Sequence, residues 1–339
     1  MKQAQSYKPN LMVGDQSYPA YQLRNLLAYL RHHHGEEVVE LLCSQIGVGL
    51  KELEHLQVIY VWQADFAMDF LQSYTGDMEV GAKVGQQYAV EDLDFLLSFF
   101  NQCDTIGDCL QFVLSHPELV GSFTDTLIIE QDDKLHIRWL NTGKISLARY
   151  SCQFQHSVCG LLTIGSGLAG QAILADKILL AEPDRSTESL ASITGADILC
   201  NAEFNEWSID KKYLSLPVRY KFDEDKVNTI SNQQASFIQV LLEEIRKTFP
   251  DCPNMEQMAS SQNMSSRTLR RRISQAGTSY QKLMDQVRCQ AAIALILSQE
   301  KSIEEIAEVM GFGEVSHFRQ SFKHWLGHPP GHFLRLNET

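Results

Sequence analysis

The sequence predicts two domains of different class. An α+β domain spans residues 1–228, and an all-α domain of two helix–turn–helix units joined by a long helix spans residues 229–339. Three observations predict this. Apolar spacing switches between helical and alternating before residue 225 but is helical throughout after Ser231. Two C-terminal stretches, MEQMASSQNMSSRTLRRRISQAG and IEEIAEVMGFGEVSHFRQSFKHWLG, resemble each other weakly. Charge also divides the chain: residues 1–232 hold 17 Lys/Arg against 31 Asp/Glu, and residues 233–339 hold 12 against 11.

In order along the chain, PAYQLRNLLAYLRHHHG places Leu23, Leu26, Leu27 and Leu30 at helical spacing, with Gly35 as a C-cap. LKELEHLQVIYVWQADFAMDFLQSYTG and VEDLDFLLSFFNQCDTIGDCLQFVLSHPEL continue as helices, stopped at Gly76 and at His116-Pro117. FTDTLIIEQ, the Asp132-Asp133 turn and KLHIRWLN predict a β-hairpin. A helix around RYSCQFQHSVCGLLTI follows, KYLSLPVRY closes the domain as a short strand, and polar FDEDKVNTISN is the linker. SFIQVLLEEIRKTF then has an apolar face of Phe237, Leu241, Leu242 and Ile245, ended by Pro250 and Pro253.

Composition narrows the class. An apolar content of 44% with 21% charged residues is that of a folded globular chain of 339 residues. The start lacks the apolar core of a signal peptide, and no run reaches the roughly 18 apolar residues a membrane helix needs, so a cytosolic chain without membrane contact is expected. Eight cysteines show no C-x-x-C pair and no zinc spacing, and are read as buried thiols. His32-His33-His34 is read as a solvated helix end, because adjacent helical residues point about 100° apart, and no metal site is expected. Gly165-Ser166-Gly167-Leu168-Ala169-Gly170 fits G-x-G-x-x-G, but the strand–loop–helix setting of a dinucleotide site is missing. It is read as a flexible loop, and no cofactor is expected. No nucleophilic triad or paired carboxylate spacing is recognisable, which argues against an enzyme.

Each C-terminal unit reads as a short helix, a turn and a second helix. Ala259 and Ala307 correspond at an offset of 48, Leu269 and Phe318 at 49, and Gly277 and Gly327 at 50. The turns are expected at Asn263 and Gly311, residue types that tolerate left-handed backbone, with Met264 and Phe312 filling the corners. The first unit's second helix sets Leu269 and Ile273 against Arg267, Arg270, Arg271 and Arg272. Arginine pairs bidentately with guanine O6 and N7 and also neutralises phosphate. The helix expected over Ser279–Ser298 would be roughly 30 Å long, near the 34–36 Å between successive major grooves on one DNA face. One chain could lay two reading helices into adjacent grooves. A helical interaction module whose arginines form a wet face, or an enzyme with an incidental DNA-binding tail, are the competing readings.

SSRTLRRRISQAGTSYQKLMDQVRCQAA followed by SIEEIAEVMGFGEVSHFRQSFKHWLGHPP resembles the DNA-binding domain of the AraC/XylS family of bacterial transcription regulators, over about residues 235–336. The elements I-A-x-x-x-G-F, S-H-F-x-x-x-F-K and W-x-G-x-x-P stand in family order and spacing. GDMEVGAKVGQQ, CDTIGDCLQFVLSHPELVGSF and FNEWSIDKKYLSLPV resemble the arabinose-binding-like N-terminal domain of one branch of that family. The resemblance implies a transcription factor whose N-terminal domain senses a small-molecule effector or partner. It also implies a homodimer, RNA polymerase as a further partner, and a place on the nucleoid. Carried over by position, it assigns DNA contact to Ser265, Arg267, Thr268, Arg270 and Arg271 in the first unit, and to Val315, Ser316, Arg319 and Gln320 in the second. Arg267 and Arg271 are expected on bases, Arg270 and Arg272 on phosphate. His136, Trp139, Arg149 and His156 are the candidates for lining an effector pocket behind the hairpin, against ordinary packing. Departures from the pattern are Gln320 where a basic residue is usual, His328 where a small hydroxyl residue is common, and Glu314 near the groove-facing end. The first unit is therefore expected to supply more of the affinity.

Overall fold

Strand alternation at the predicted hairpin organises the N-terminal unit. In the computed structural model, which describes residues 4–8, 17–53, 56–93, 96–116, 120–122, 124–140, 150–222, 237–276, 278–326 and 329–331, the hairpin is strands β4 (Asp125–Gln131) and β5 (Lys134–Leu140), antiparallel, with Asp132 at φ 49° in the turn. β1 (Ala4–Lys8) adds to β4 on one side. On the other side follow β8 (Glu206–Asp210), β6 (Lys177–Leu179) and β7 (Asp197–Leu199), giving a six-stranded sheet of order β1-β4-β5-β8-β6-β7 in which only β6 and β7 run parallel. The closing strand is thus EWSID and not the expected KYLSLPVRY. Within that stretch Lys211–Tyr213 form a 3₁₀ turn, and Pro217 makes an isolated bridge to Thr105. A second sheet pairs β2 (Ser17–Pro19) with β3 (Val58–Tyr60), inside a stretch expected to be helical.

Helix α1 (Ala20–His34) ends at Gly35, whose N–H donates to the Arg31 carbonyl, and buries Leu23, Leu26, Leu27 and Leu30 as expected. It packs against α2 (Glu36–Ile46) and α4 (Val61–Thr75); α3 (Leu50–Leu53) is a single turn between them. His32, His33 and His34 are exposed at the end of α1. The next helices are short: α5 (Val80–Gln86), a 3₁₀ turn over Val90–Leu93, α6 (Leu96–Phe100) and α7 (Ile106–Ser115). Helix α8 (Ser151–Ala169) lies on the sheet, with the Phe154 ring edge-on to Trp139 at 5.2 Å. It runs through Gly165 and Gly167 and stops at left-handed Gly170, so the G-x-G-x-x-G stretch is helix, neither a phosphate cradle nor the loop expected. α5 crosses α8 closely because Gly81 and Gly85 have no side chains. A Cβ on Gly81 would overlap the Cys152 carbonyl oxygen, and one on Gly85 would lie 2.5 Å from that of His156. Glu79 accepts from the N–H groups of Leu190 (2.8 Å) and Ser189 (3.3 Å), tying α5 to α9 (Glu188–Thr194).

The second unit is all helix. α10 (Phe237–Thr248) turns Ile238, Leu241, Leu242 and Ile245 inward, Ile238 taking the place expected for half-buried Phe237. α11 (Met255–Ser261) and α12 (Ser266–Gln275) form the first helix–turn–helix. α14 (Ile303–Val309) and α15 (Val315–Leu326) form the second, and α13 (Tyr280–Ser298) joins them. At 19 residues α13 is about 28 Å long. Tyr280, Leu283 and Val287 near its start complete the first core, and α14 and α15 both pack against α13. The expected domain boundary at 228/229, Gly277, Gly327 and His328 lie outside the described residues. Of the eight cysteines, Cys43, Cys109, Cys152, Cys159 and Cys289 are buried, and Cys103, Cys200 and Cys252 are partly so.

Candidate nucleic-acid interface and ligand cavity

The two turns repeat one backbone design. Asn263 (φ 54°) and Gly311 (φ 79°) both adopt left-handed backbone, as their residue types suggested. Five residues separate each closing bond: Met264 N–H donates to the Ala259 carbonyl and Phe312 N–H to that of Ala307, both at 2.9 Å. The match then slips. Ser265 follows Met264 directly and caps α12, its hydroxyl accepting from the Thr268 N–H at 3.2 Å. In the second unit Gly313 intervenes before Glu314, the residue that precedes α15. One inserted residue in the turn therefore accounts for the offset growing from 48 to 49.

Leu269 and Ile273 are buried, which fixes the rotation of α12. At 100° per residue, Arg267 and Arg271 then lie nearly opposite the core and Arg270 stands beside them; all three are exposed. Among the described residues none of the three makes an ion pair. Arg272 stands on the opposite flank from Arg270 and is also exposed, but its guanidinium lies 3.7 Å from the centre of the Phe237 ring. Thr268 is half-buried, and its hydroxyl is bonded to that of Ser265 at 2.9 Å.

On α15, Phe318, Phe322 and Trp325 are buried and Phe312 meets both Phe318 and Trp325 edge-on, which closes the second corner. The outer face carries exposed Ser316, Arg319 and Gln320, with Val315 half-buried. Two of these are engaged within the unit. Arg319 Nη2 donates to Glu304 Oε1 at 3.2 Å across the helix pair, and Ser316 Oγ donates to Glu314 Oε2 at 3.1 Å. Glu314 sits at the start of α15, where a helix dipole favours negative charge. That gives the acid a local structural reason which the sequence pattern did not suggest.

The N-terminal unit holds a partly open cavity of about 130 Å³ between the sheet and α8. Strand parity decides which candidates reach it. Ile137 and Trp139 of β5 and Trp207 and Ile209 of β8 line the cavity, so His136, Arg138 and Glu206 face the other side of the sheet. There His136 Nδ1 lies 3.0 Å from Glu206 Oε1, and Arg138 Nε donates to Glu206 Oε2 at 2.6 Å while its guanidinium covers the Phe204 ring at 3.5 Å. Burial raises the Glu206 carboxyl, but hydrogen bonds from His136 and the Arg138 charge outweigh it and hold the group below its ordinary value. His136 thus hydrogen-bonds the Arg138–Glu206 ion pair on the far face of the sheet and does not belong to the pocket. Trp139 and His156 do line it; Arg149 lies outside the described residues.

His156 is 4% exposed, its Nε2 is 3.1 Å from the Tyr88 hydroxyl, and burial pushes its imidazole down to about 4, so it is neutral. Burial also raises the hydroxyls of Tyr18, Tyr21 and Tyr88, all of which line the cavity. The floor along α8 is Gln153, Ser157, Leu161, Ile164 and Leu168, a stripe at helical spacing. Gln153 was not among the candidates, although a lone glutamine on an apolar helix face was a visible cue.

Two family profiles match the chain: "Arabinose-binding domain of AraC transcription regulator, N-term" over residues 39–218, and "Helix-turn-helix domain" over residues 258–336. The ornithine utilization regulator of Pseudomonas aeruginosa is 23% identical over 273 residues, covering 77% of this chain and 80% of that protein. VqsM, an HTH-type transcriptional regulator of the same organism, is 33% identical over 75 residues, covering 22% of this chain and 23% of its own. Among solved structures, the transcriptional regulator CdpR from P. aeruginosa aligns over 93% of this chain and 98% of its own, at 15% identity and a TM-score of 0.40.

Proposed function

The chain belongs to the AraC family of transcription regulators, and we propose that its first helix–turn–helix unit supplies most of the grip on double-stranded DNA. It is a DNA-binding regulator with an effector-binding N-terminal domain and a helix–turn–helix C-terminal domain. In this reading Arg267 and Arg271 contact base edges, Arg270 contacts phosphate, and Ser265 and Thr268 support the start of α12. Val315, Ser316, Arg319 and Gln320 form the weaker second surface, where glutamine favours adenine over guanine. The observation that carries the proposal is electrostatic. Three guanidiniums on α12 are exposed without an ion pair among the described residues, whereas Arg319 on α15 is shared with Glu304.

Further parts of the proposal draw on the polar linker and on the family resemblance. The domains divide near 228/229, and an effector in the first biases how the second is presented to the operator. A second copy of the chain and RNA polymerase complete the assembly on the nucleoid, and the N-terminal domain has no catalytic role. Titration of full-length chain onto promoter DNA at several salt concentrations tests the core of this. Binding that releases counterions from phosphate weakens with salt by a slope of about −0.9 per phosphate engaged. Arg271→Ala is expected to cost about 1–3 kcal/mol and to relax preference at one base position. A flat salt response, or unchanged binding by that variant, would remove α12 from the interface.

A further inference from the structure

The side-chain amide of Gln153 is the feature of the cavity that its fold does not use. The residue is 2% exposed, and neither Nε2 nor Oε1 has a hydrogen-bond partner. Among the described lining residues it is the one with buried polar atoms left unmatched. Gln22, the other glutamine in the lining, shows the contrast: it accepts from the Tyr18 hydroxyl and donates to the Val120 carbonyl, both at 2.5 Å. A buried amide with neither partner is costly and uncommon in a folded protein. The residue lines the cavity while its amide atoms are covered, so a molecule that displaced the cover and supplied both a donor and an acceptor would relieve that cost.

The rest of the lining sets the remaining chemistry. The described lining residues include no Asp, Glu, Lys or Arg, and the one histidine is neutral. An ion entering such a site would lose hydration and meet no countercharge among the described lining residues. Aromatic and aliphatic side chains supply most of the wall, from Trp139 and Trp207 on the sheet to Leu161 and Ile164 on α8. The volume, about 130 Å³, is close to the roughly 150 Å³ of an engineered apolar cavity that accepts benzene.

We propose that the cavity takes an uncharged, mainly apolar molecule about the size of one ring, bearing a group that donates to and accepts from the Gln153 amide, as a carboxamide or lactam does. This rests on the reading of the N-terminal unit as the effector-binding domain and adds the class of effector. Gln153 is the specificity-determining residue: it selects for the paired polar group, while the aromatic wall holds the ring.

Four one-ring probes of similar size separate the alternatives on the full-length chain: benzamide, benzoate, benzylamine and toluene, each titrated by ligand-observed NMR at neutral pH. Benzamide is expected to bind at least tenfold more tightly than benzoate or benzylamine. Gln153→Leu and the unbranched Gln153→Met, each checked for native circular dichroism, are expected to weaken benzamide at least fivefold and to leave toluene unchanged. L-ornithine, the compound in the name of the 23% identical relative, carries charges no described lining side chain pairs and is expected not to bind. Equal or tighter binding of benzoate, benzylamine or ornithine would overturn the class of ligand while leaving an effector site in place. Indifference of benzamide to both Gln153 variants would overturn the role of that residue. If none of the probes bound to folded protein, the cavity would not be an effector site at all, and the proposal would fall with that reading.

Discussion

Arg267 and Arg271 stand four residues apart on α12, opposite Leu269 and Ile273, whereas the Arg272 guanidinium rests on the Phe237 ring. The same side chain is thus asked for different work within six residues. A cation over an aromatic face at a partly exposed site is worth about 0.5–1 kcal/mol. Arg272→Ala is therefore expected to lower the stability of the C-terminal unit by about that amount, with a smaller loss of DNA binding than Arg271→Ala; paired thermal melts and DNA titrations check this. If Arg272→Ala cost as much binding as Arg271→Ala without changing the melt, the stack would not be what holds Arg272. His156 provides a residue-scale test in the other unit. Burial lowers its imidazole from 6.5 to about 4, so the folded chain keeps it neutral while an unfolded chain takes up a proton below pH 6.5. Stability consequently falls as pH drops from 6.5 towards 4, by about 3 kcal/mol over the whole window. Urea denaturation of His156→Gln is expected to show a flatter profile between those pH values than the parent. Parallel profiles would mean that other groups carry the acid sensitivity.

Elements with a full apolar period were legible in the sequence, and those too short to show one were not. α1 was readable because Leu23, Leu26, Leu27 and Leu30 repeat over 15 residues, and the β4–β5 hairpin because alternation on both strands brackets an Asp-Asp turn. β2 and β3 have three residues each, too few to show alternation, so VIY passed as part of the helical stretch around it. β8 was displaced onto KYLSLPVRY because Glu206 looks wrong for a central strand; its two partners, His136 and Arg138, come from the neighbouring strand. In the candidate site, the polar faces of α12 and α15 followed from helical geometry. His136 and Trp139 could not be told apart until the register fixed which face of β5 pointed inward. The repeated turn yields a prediction at this scale. Gly311 adopts a φ of 79° with open space around it, so Gly311→Ala is expected to cost about 1–2 kcal/mol through backbone strain alone. Gly311→Asn is expected to cost less, since Asn263 occupies the equivalent place at 54°. Chemical denaturation compares the two, and equal losses would point to side-chain contact instead of backbone strain.

At the scale of the whole molecule, the acidic balance of residues 1–232 and the neutral balance of 233–339 fit the proposal that DNA is held by a small part of the chain's surface. Affinity so localised gains from a second copy bound beside the first. Analytical ultracentrifugation at micromolar concentration is expected to show a dimer of the full-length chain, and a monomer with and without DNA would contradict this. Gly313 bears on what such a chain allows an engineer to do. The two helix–turn–helix units agree at an offset of 48 up to Met264 and Phe312, and at 49 from Ser265 and Glu314 through Leu269 and Phe318. Grafting α12 in place of α15 by the first offset would start the helix one position early and turn its arginines through about 100°, away from the side they now present. A working hybrid has to be spliced at the residue before each helix, carrying Gly313 with the recipient. Recognition surfaces in this chain are portable as caps and helices, and not as whole repeats.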